Sequence, residues 1–187
     1  MGADMIVALG GGSVMDAAKA IALMAVNEGN LWDYVGSGTG KGQKYAHRAL
    51  PVIAITTTAG TGSEVDATSV ITNQETHEKI GLKFPDLYPC LAIVDPELML
   101  TVPPRLTAFQ GFDALFHSLE TYVNRKANLM SDMVASTAIR NIGAFLPRAV
   151  AQGDDVEART HMAFANTLSG YAMVLGGCTS EHSLEHA

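Results

Sequence analysis

Hydrophobic residues come in short unbroken runs through the first half of the chain and recur every three or four positions through the second. Residues 5–9 (MIVAL) form a continuous apolar run closed by Gly10-Gly11-Gly12, the pattern of a strand buried on both faces. From Ser13 the period changes. Met15, Ala18, Ala22 and Val26 follow at helical spacing, with Ser13 placed to cap the helix and Asp16 in the carboxylate position of a capping box. A Gly/Lys-rich loop over residues 36–42 precedes a second apolar run, Val52–Thr56, which leads into Thr57-Thr58-Ala59-Gly60-Thr61-Gly62-Ser63-Glu64. Residues 68–72 and 79–83 alternate about a polar stretch at 73–77 and predict a hairpin, and residues 91–94 predict another buried strand. Beyond Pro103-Pro104 the pattern predicts helices over residues 105–124, 131–150 and 156–175, with a further one from Thr179. The fold expected is an α/β part over residues 1–103 followed by an all-helical part over residues 104–187.

Composition narrows the classes of function. The 187 residues are 48% hydrophobic and 17% charged, which predicts a substantial core and excludes a disordered chain. A net charge of −7 argues against phosphate-backbone binding, because the only basic cluster is the short loop stretch of Lys41, Lys44 and Arg48. Two cysteines, Cys90 and Cys178, cannot build a disulfide framework and suit a reducing compartment, so the expected location is the cytoplasm. The longest apolar run, residues 20–26, lies between Lys19 and Asn27 and is too short for a membrane span. The chain opens without a secretory leader, and Ile6 stands where a myristoylation signal has Ser or Thr, so a soluble, untargeted protein is expected.

The glycine-rich segments carry the first candidate chemistry. A backbone that approaches a pyrophosphate closely needs residues without Cβ, and a helix N-terminus offers free N–H groups and a partial positive charge. Gly10-Gly11-Gly12-Ser13 supplies both, between a strand and a helix. It is not the ordinary dinucleotide fingerprint, whose third glycine would fall at Met15, and the loop at 36–42 is not a P-loop, since Gly42 follows Lys41. Alone, the first loop reads equally as a tight turn. The second crowds Thr57, Thr58, Thr61 and Ser63 around two glycines after a strand, where parallel sheets place ligands, and the two together suggest one phosphate-and-sugar ligand.

The helical half carries the second. Asp113 and His117 stand at i and i+4, one turn apart on one helix side, a spacing that can present two ligands to one ion. His182 and His186 repeat the spacing. Either pair alone is commoner as a surface pair, but three histidines and a carboxylate in one half would suit Fe(II) or Zn(II). His182-Ser183-Leu184-Glu185-His186 also matches H-x-x-E-H, in which Glu185 would be the general base of a metal-dependent hydrolase. That pattern arises readily by chance and leaves the glycine loops unexplained. Cys178 could offer a soft ligand, though in its apolar Gly-Gly-Cys setting packing is the commoner role. His47, His77 and His161 stand apart and are expected to be exposed.

Four stretches taken together resemble the iron-containing (group III) alcohol dehydrogenase family: residues 10–19 (GGGSVMDAAK), 57–64 (TTAGTGSE), 111–117 (GFDALFH), and His182 with His186. The resemblance implies a Rossmann-like, dinucleotide-binding α/β part and a helical metal-binding domain in a dehydroquinate synthase-like architecture. It implies that Gly11, Gly12, Ser13 and Asp16 hold the pyrophosphate and the neighbouring nicotinamide side of NAD or NADP. Thr57, Thr58 and Ser63 would line the rest of the cofactor path, and Lys79 would approach the nicotinamide ribose. Asp113, His117 and His182 would be three of four ligands to Fe(II) or, alternatively, Zn(II), and His186 a catalytic proton relay. The implied reaction is hydride transfer between a primary alcohol or aldehyde and the nicotinamide, with the metal as Lewis acid.

The resemblance also implies what is missing. Family members are about twice this length, begin with further strands and helices, and take their fourth ligand from a histidine beyond His186. A chain truncated at both ends is therefore expected, inactive alone and part of a homo-oligomer, a dimer, when whole. A metal-dependent hydrolase and a non-catalytic remnant are the competing expectations. The sequence leaves the alcohol, the choice between NAD and NADP, and the metal open.

Overall fold

The computed structural model describes residues 2–179 together with His182 and Leu184. Its order is β1 (Ile6–Gly10), α1 (Gly12–Met24), β2 (Val52–Thr56), β3 (Thr68–Asn73), β4 (Glu78–Lys83), β5 (Leu91–Val94), α2 (Pro104–Val123), α3 (Leu129–Ala151) and α4 (Val156–Gly176). β1, β2 and β5 form a parallel sheet in the order β1-β2-β5, and β3 and β4 form the expected antiparallel hairpin with Thr68 opposite Lys83.

One helix covers one face of the parallel sheet. Met15, Ala18 and Ala22 of α1 pack against Ala8, Val52 and Ala54, so alternate strand residues are buried. The expectation that β1 and β5 are buried on both faces fails. Val7 and Leu9 are about 60% exposed, and Leu91 and Ile93 are also exposed, because no described element packs on the opposite face. The tail of α1 meets the hairpin and the loop at 31–35 in a second cluster around Leu23, Tyr34, Val35, Leu82 and Leu87.

The capping expectation for α1 fails as well. The N-cap is Gly11, and no side chain bonds the first turn. Asp16 points instead at the loop after β2, accepting from Ser63 Oγ at 2.7 Å and from the Val70 backbone N–H at 3.1 Å. The chain passes from strand to helix across a single residue, which leaves the first N–H groups of α1 without a side-chain partner.

α2, α3 and α4 pack on one another around Ala114, Ala138, Ile142, Leu146, Ala149, Ala158, Met162 and Ala165, where the alanines let the helix axes approach and the larger side chains fill the space between them. Asn128 caps α3 by accepting from the backbone N–H groups of Met130 and Ser131, and Asp155 caps α4 by accepting from Ala158. His161, expected to be exposed, is half-buried: its Nδ1 lies 2.8 Å from Asn141 Oδ1 and its ring stacks on Phe145 at 3.7 Å. His47 and His77 are exposed, and Lys41 and Arg48 lie on the surface paired with Asp33 and Asp86. Among the described residues no helix is long and apolar enough to cross a membrane.

Two polar junctions anchor α4. The loop after β2 docks on α4, where the Gly62 N–H donates to Asn166 Oδ1 at 3.0 Å and Glu64 Oε1 accepts from Asn166 and Thr167 at 2.9 Å. A Cβ on Gly62 would come within 2.6 Å of Gly170 Cα, and its φ of +63° is left-handed, so both close approach and conformation demand glycine there. Buried Arg159 of α4 forms the other junction, donating to Gly153 O, Thr107 Oγ1 and Val102 O.

Candidate active site

The two glycine-rich loops leave adjacent parallel strands at the same end, with Gly10 opposite Thr56 in register. They interlock: the Thr57 N–H donates to Gly10 O at 3.1 Å, and a Cβ on Gly12 would lie 2.6 Å from Thr61 Cγ2. Beyond them opens a cavity of about 790 Å³. Gly12, Ser13, Asp16, Ser63 and Lys79 line one side, and Asp113, His117 and His182 the other, with Phe109, Phe112, Phe116 and Met173 as apolar lining. Gly11 and Thr58 face an adjoining cavity of about 290 Å³ that shares Gly12 and Ser13, while Thr57 lines neither. Two sequence segments some hundred residues apart thus face one space.

Beneath the loops runs a buried polar network that the sequence reading did not anticipate. Lys19 is fully buried, and its ammonium donates to Ser63 Oγ at 2.7 Å, Asp66 Oδ1 at 2.8 Å and Thr68 O at 2.8 Å. Ser63 in turn donates to Asp16, whose carboxyl is raised by burial against the opposing pull of Ser63 and Lys19. Asp16 and Ser63 therefore border the cavity with their polar groups already engaged. One signal in the sequence marks this network: Lys19 directly follows Ala18 on the apolar stripe of α1, a lysine on the side that must be buried.

Across the cavity, Asp113 Oδ1 lies 3.6 Å from His117 Nε2 and 3.4 Å from His182 Nε2, and the two imidazoles stack with centroids 4.2 Å apart. Burial drives the His117 pKa down, outweighing the neighbouring Asp113 charge, and so favours the neutral ring. His182 is pushed up to about 9, because its hydrogen bonds and charge contacts with Asp113 and Glu120 overcome burial. Burial opposes ionisation of Asp113 too, yet the two histidines hold its carboxyl below the usual range. One anionic oxygen with two imidazole nitrogens turned toward it is a donor set that fits Fe(II) or Zn(II). The Gly60 backbone lies in hydrogen-bonding reach of the His117 ring, and Nε2 is the nitrogen turned toward Asp113.

Cys178 and Glu120 add to this side. The Cys178 thiol, given above a packing role, lies with His117 and His182 in a group whose ligand atoms are within 4.8 Å of one another. Burial and then the Glu120 and Asp113 charges push its pKa up to about 12. Glu120 Oε1 accepts from His182 Nδ1 at 2.7 Å and from the His182 backbone N–H at 3.1 Å, and Oε2 accepts from the Thr179 N–H. Its place three residues after His117 was the available signal. Glu185 and His186 lie outside the described residues.

Comparison with known proteins supplies the family. Residues 1–96 match the family description "iron-containing alcohol dehydrogenase", and residues 107–187 match "Fe-containing alcohol dehydrogenase family, C-terminal". The NAD-dependent methanol dehydrogenase of Bacillus methanolicus is 44% identical over 98% of this chain and 47% of its own length. Alcohol dehydrogenase 4 of Schizosaccharomyces pombe is 42% identical over 98% of this chain and 42% of its own. Among solved structures, sulfoacetaldehyde reductase from Bifidobacterium kashiwanohense in complex with NAD+ superposes with a TM-score of 0.90 at 38% identity, over 96% of this chain and 47% of that one. The chain spans about half the length of the relatives it matches. These matches, which together run over most of the chain, place it in the iron-containing alcohol dehydrogenase family.

Proposed function

We propose that the chain supplies the nicotinamide and metal sites of an NAD(P)-dependent alcohol dehydrogenase that transfers hydride between a primary alcohol or aldehyde and the cofactor. The observation that carries this is the single cavity shared by the α1 N-terminus and the Asp113, His117 and His182 cluster. Gly11, Gly12 and Ser13 bring uncapped N–H groups of α1 to a pyrophosphate. Thr58 and Thr57 extend the path toward the sugars, and Ser63 and Asp16 form its wall. Lys79 reaches the nicotinamide ribose.

Fe(II), or alternatively Zn(II), held by Asp113, His117 and His182 would supply Lewis-acid polarisation of the substrate oxygen, and the nicotinamide the hydride exchange. The ionised carboxyl of Asp113 offsets part of the cation's charge, and neutral His117 binds without having to lose a proton. Phe109, Phe112, Phe116 and Met173 would pack the carbon skeleton of the alcohol. His186 is the proton relay in this reading. A cytoplasmic, homodimeric whole enzyme belongs to the same proposal.

The test pairs two binding measurements on the purified chain. NADH binding, read by nicotinamide fluorescence, should fall in Gly12→Val, and bound Fe(II) or Zn(II) should be lost in Asp113→Ala. Variants that bind both as the wild type does would sink the reading. Turnover of primary alcohols is to be compared in the chain and in a longer form that includes the remainder of the enzyme.

A further inference from the structure

We propose that Glu120 is a positioning residue of the metal centre, setting the ring orientation and tautomer of His182; this rests on reading Asp113, His117 and His182 as metal ligands. Glu120 does not itself line the cavity, and its hydrogen bonds go to the His182 ring and to the backbone that carries it.

The last turns of α2 form a template for the segment after α4. Thr121 Oγ1 donates to Gly177 O at 3.1 Å, Asn124 Nδ2 donates to Cys178 O at 3.1 Å, and Glu120 accepts the N–H groups of Thr179 and His182. One helix therefore presents two donors, Asp113 and His117, and also docks the segment bearing the third. Thr121 and Asn124 hold backbone alone. Glu120 does more, because the Oε1 that takes the His182 backbone N–H also takes the ring at Nδ1, 2.7 Å away.

An ionised carboxylate can only accept, so Nδ1 must carry the hydrogen in that contact. In the neutral ring the lone pair is then on Nε2, the nitrogen that faces Asp113 Oδ1 at 3.4 Å. A ring protonated at Nε2 alone would present no lone pair there, and a ring free to rotate would not hold one in this direction. Glutamine is not a silent replacement. Its amide oxygen could serve His182, but its NH2 would then confront the Thr179 N–H, donor against donor.

The experiment uses the full chain loaded with Zn(II). The Zn(II) dissociation constant is measured by competition with a chromophoric chelator, and the His182 tautomer by 15N–1H correlation of the ring nitrogens. Zn(II)-loaded wild type should show His182 protonated at Nδ1 and metallated at Nε2, and metallation at Nδ1 would overturn the proposal without any variant. Glu120→Gln should weaken Zn(II) binding roughly 10- to 100-fold, the usual range for such supporting partners, and lose the Nδ1–H signal. Asn124→Ala, which loosens the same segment but touches no ring, should keep that signal. If Asn124→Ala and Glu120→Gln weaken binding equally with the tautomer unchanged, Glu120 merely straps the backbone and the proposal fails. If Asp113→Ala loses Zn(II) while Glu120→Gln keeps affinity and tautomer, the proposal fails and the metal site stands. If Asp113→Ala binds as wild type does, the metal reading itself is wrong.

Discussion

Replacing Lys19 by methionine keeps the aliphatic stem and deletes the buried ammonium of the network beneath the glycine loops. Three charge-assisted hydrogen bonds of 2.7 to 2.8 Å disappear, and Asp66 and Asp16 are left facing each other across the gap. Breaking a fully buried pair from one side costs about 3–5 kcal/mol. The side chains of Asp66 and Asp16 keep 13% and 16% of their surface in water, so part of the orphaned charge can still be hydrated. The lower end, about 3 kcal/mol, is therefore expected. For a chain of this size each kcal/mol lowers the melting temperature by about 2–4 °C, so Lys19→Met should melt roughly 6–12 °C below wild type at pH 7. The assay is thermal unfolding followed by far-UV circular dichroism. Adding Asp66→Asn removes the charge that Lys19 left unpaired, and the double variant should recover part of the loss. A single variant within about 2 °C of wild type, or a double variant no better than the single, would show that this lysine is not the keystone of the network.

Other expectations follow from the same geometry. The pKa of His182 is raised to about 9 in the metal-free fold, above its ordinary 6.5, so its contribution to stability is full below pH 6.5 and is lost as pH rises through about 9. Metal-free protein should thus melt lower at pH 10 than at pH 6, and His182→Asn should flatten that slope; an equal slope in the variant would contradict it. Gly170→Ala should destabilise the fold by about 1–3 kcal/mol in denaturant unfolding, because the added Cβ would lie 2.6 Å from Val65 Cγ2 and 2.7 Å from Gly62 O. A neutral substitution would mean that the loop and α4 are not packed this closely. Cys178, raised to about 12, should alkylate with iodoacetamide at pH 8 far more slowly than exposed Cys90, as read by peptide mass mapping. Equal rates would place Cys178 outside the shielded cluster.

Much of this architecture was legible because local pattern and global fold agree. Runs of β-branched residues, the glycine turn after residues 5–9 and the period of α2 to α4 each set one element, and the observed bounds fall within a few residues of the expected ones. The convergence of Gly12, Ser13 and Lys79 with Asp113, His117 and His182 on one cavity was legible only through the four motifs jointly, since no single spacing brings segments so distant together. What stayed hidden depends on tertiary partners. Asp16 looked like half of a capping box because three-residue spacing is all that a sequence displays, whereas its partner Ser63 arrives from another strand end. The open face carrying Val7 and Leu9 has the same apolar run as a doubly covered one, so strand hydrophobicity overstated burial. Glu120 reads as an ordinary helix glutamate until the segment after α4 is laid on it.

In the proposed function Asp113, His117 and His182 hold one divalent ion at the wall of the glycine-loop cavity. Crystals of the chain grown with Zn(II), with anomalous differences collected at the zinc edge, test it most directly. One dominant peak per chain is expected within bonding distance, about 2.0–2.2 Å, of a carboxylate oxygen of Asp113 and of Nε2 of both His117 and His182. A peak bound elsewhere, or none at these three residues in fully loaded protein, would contradict it.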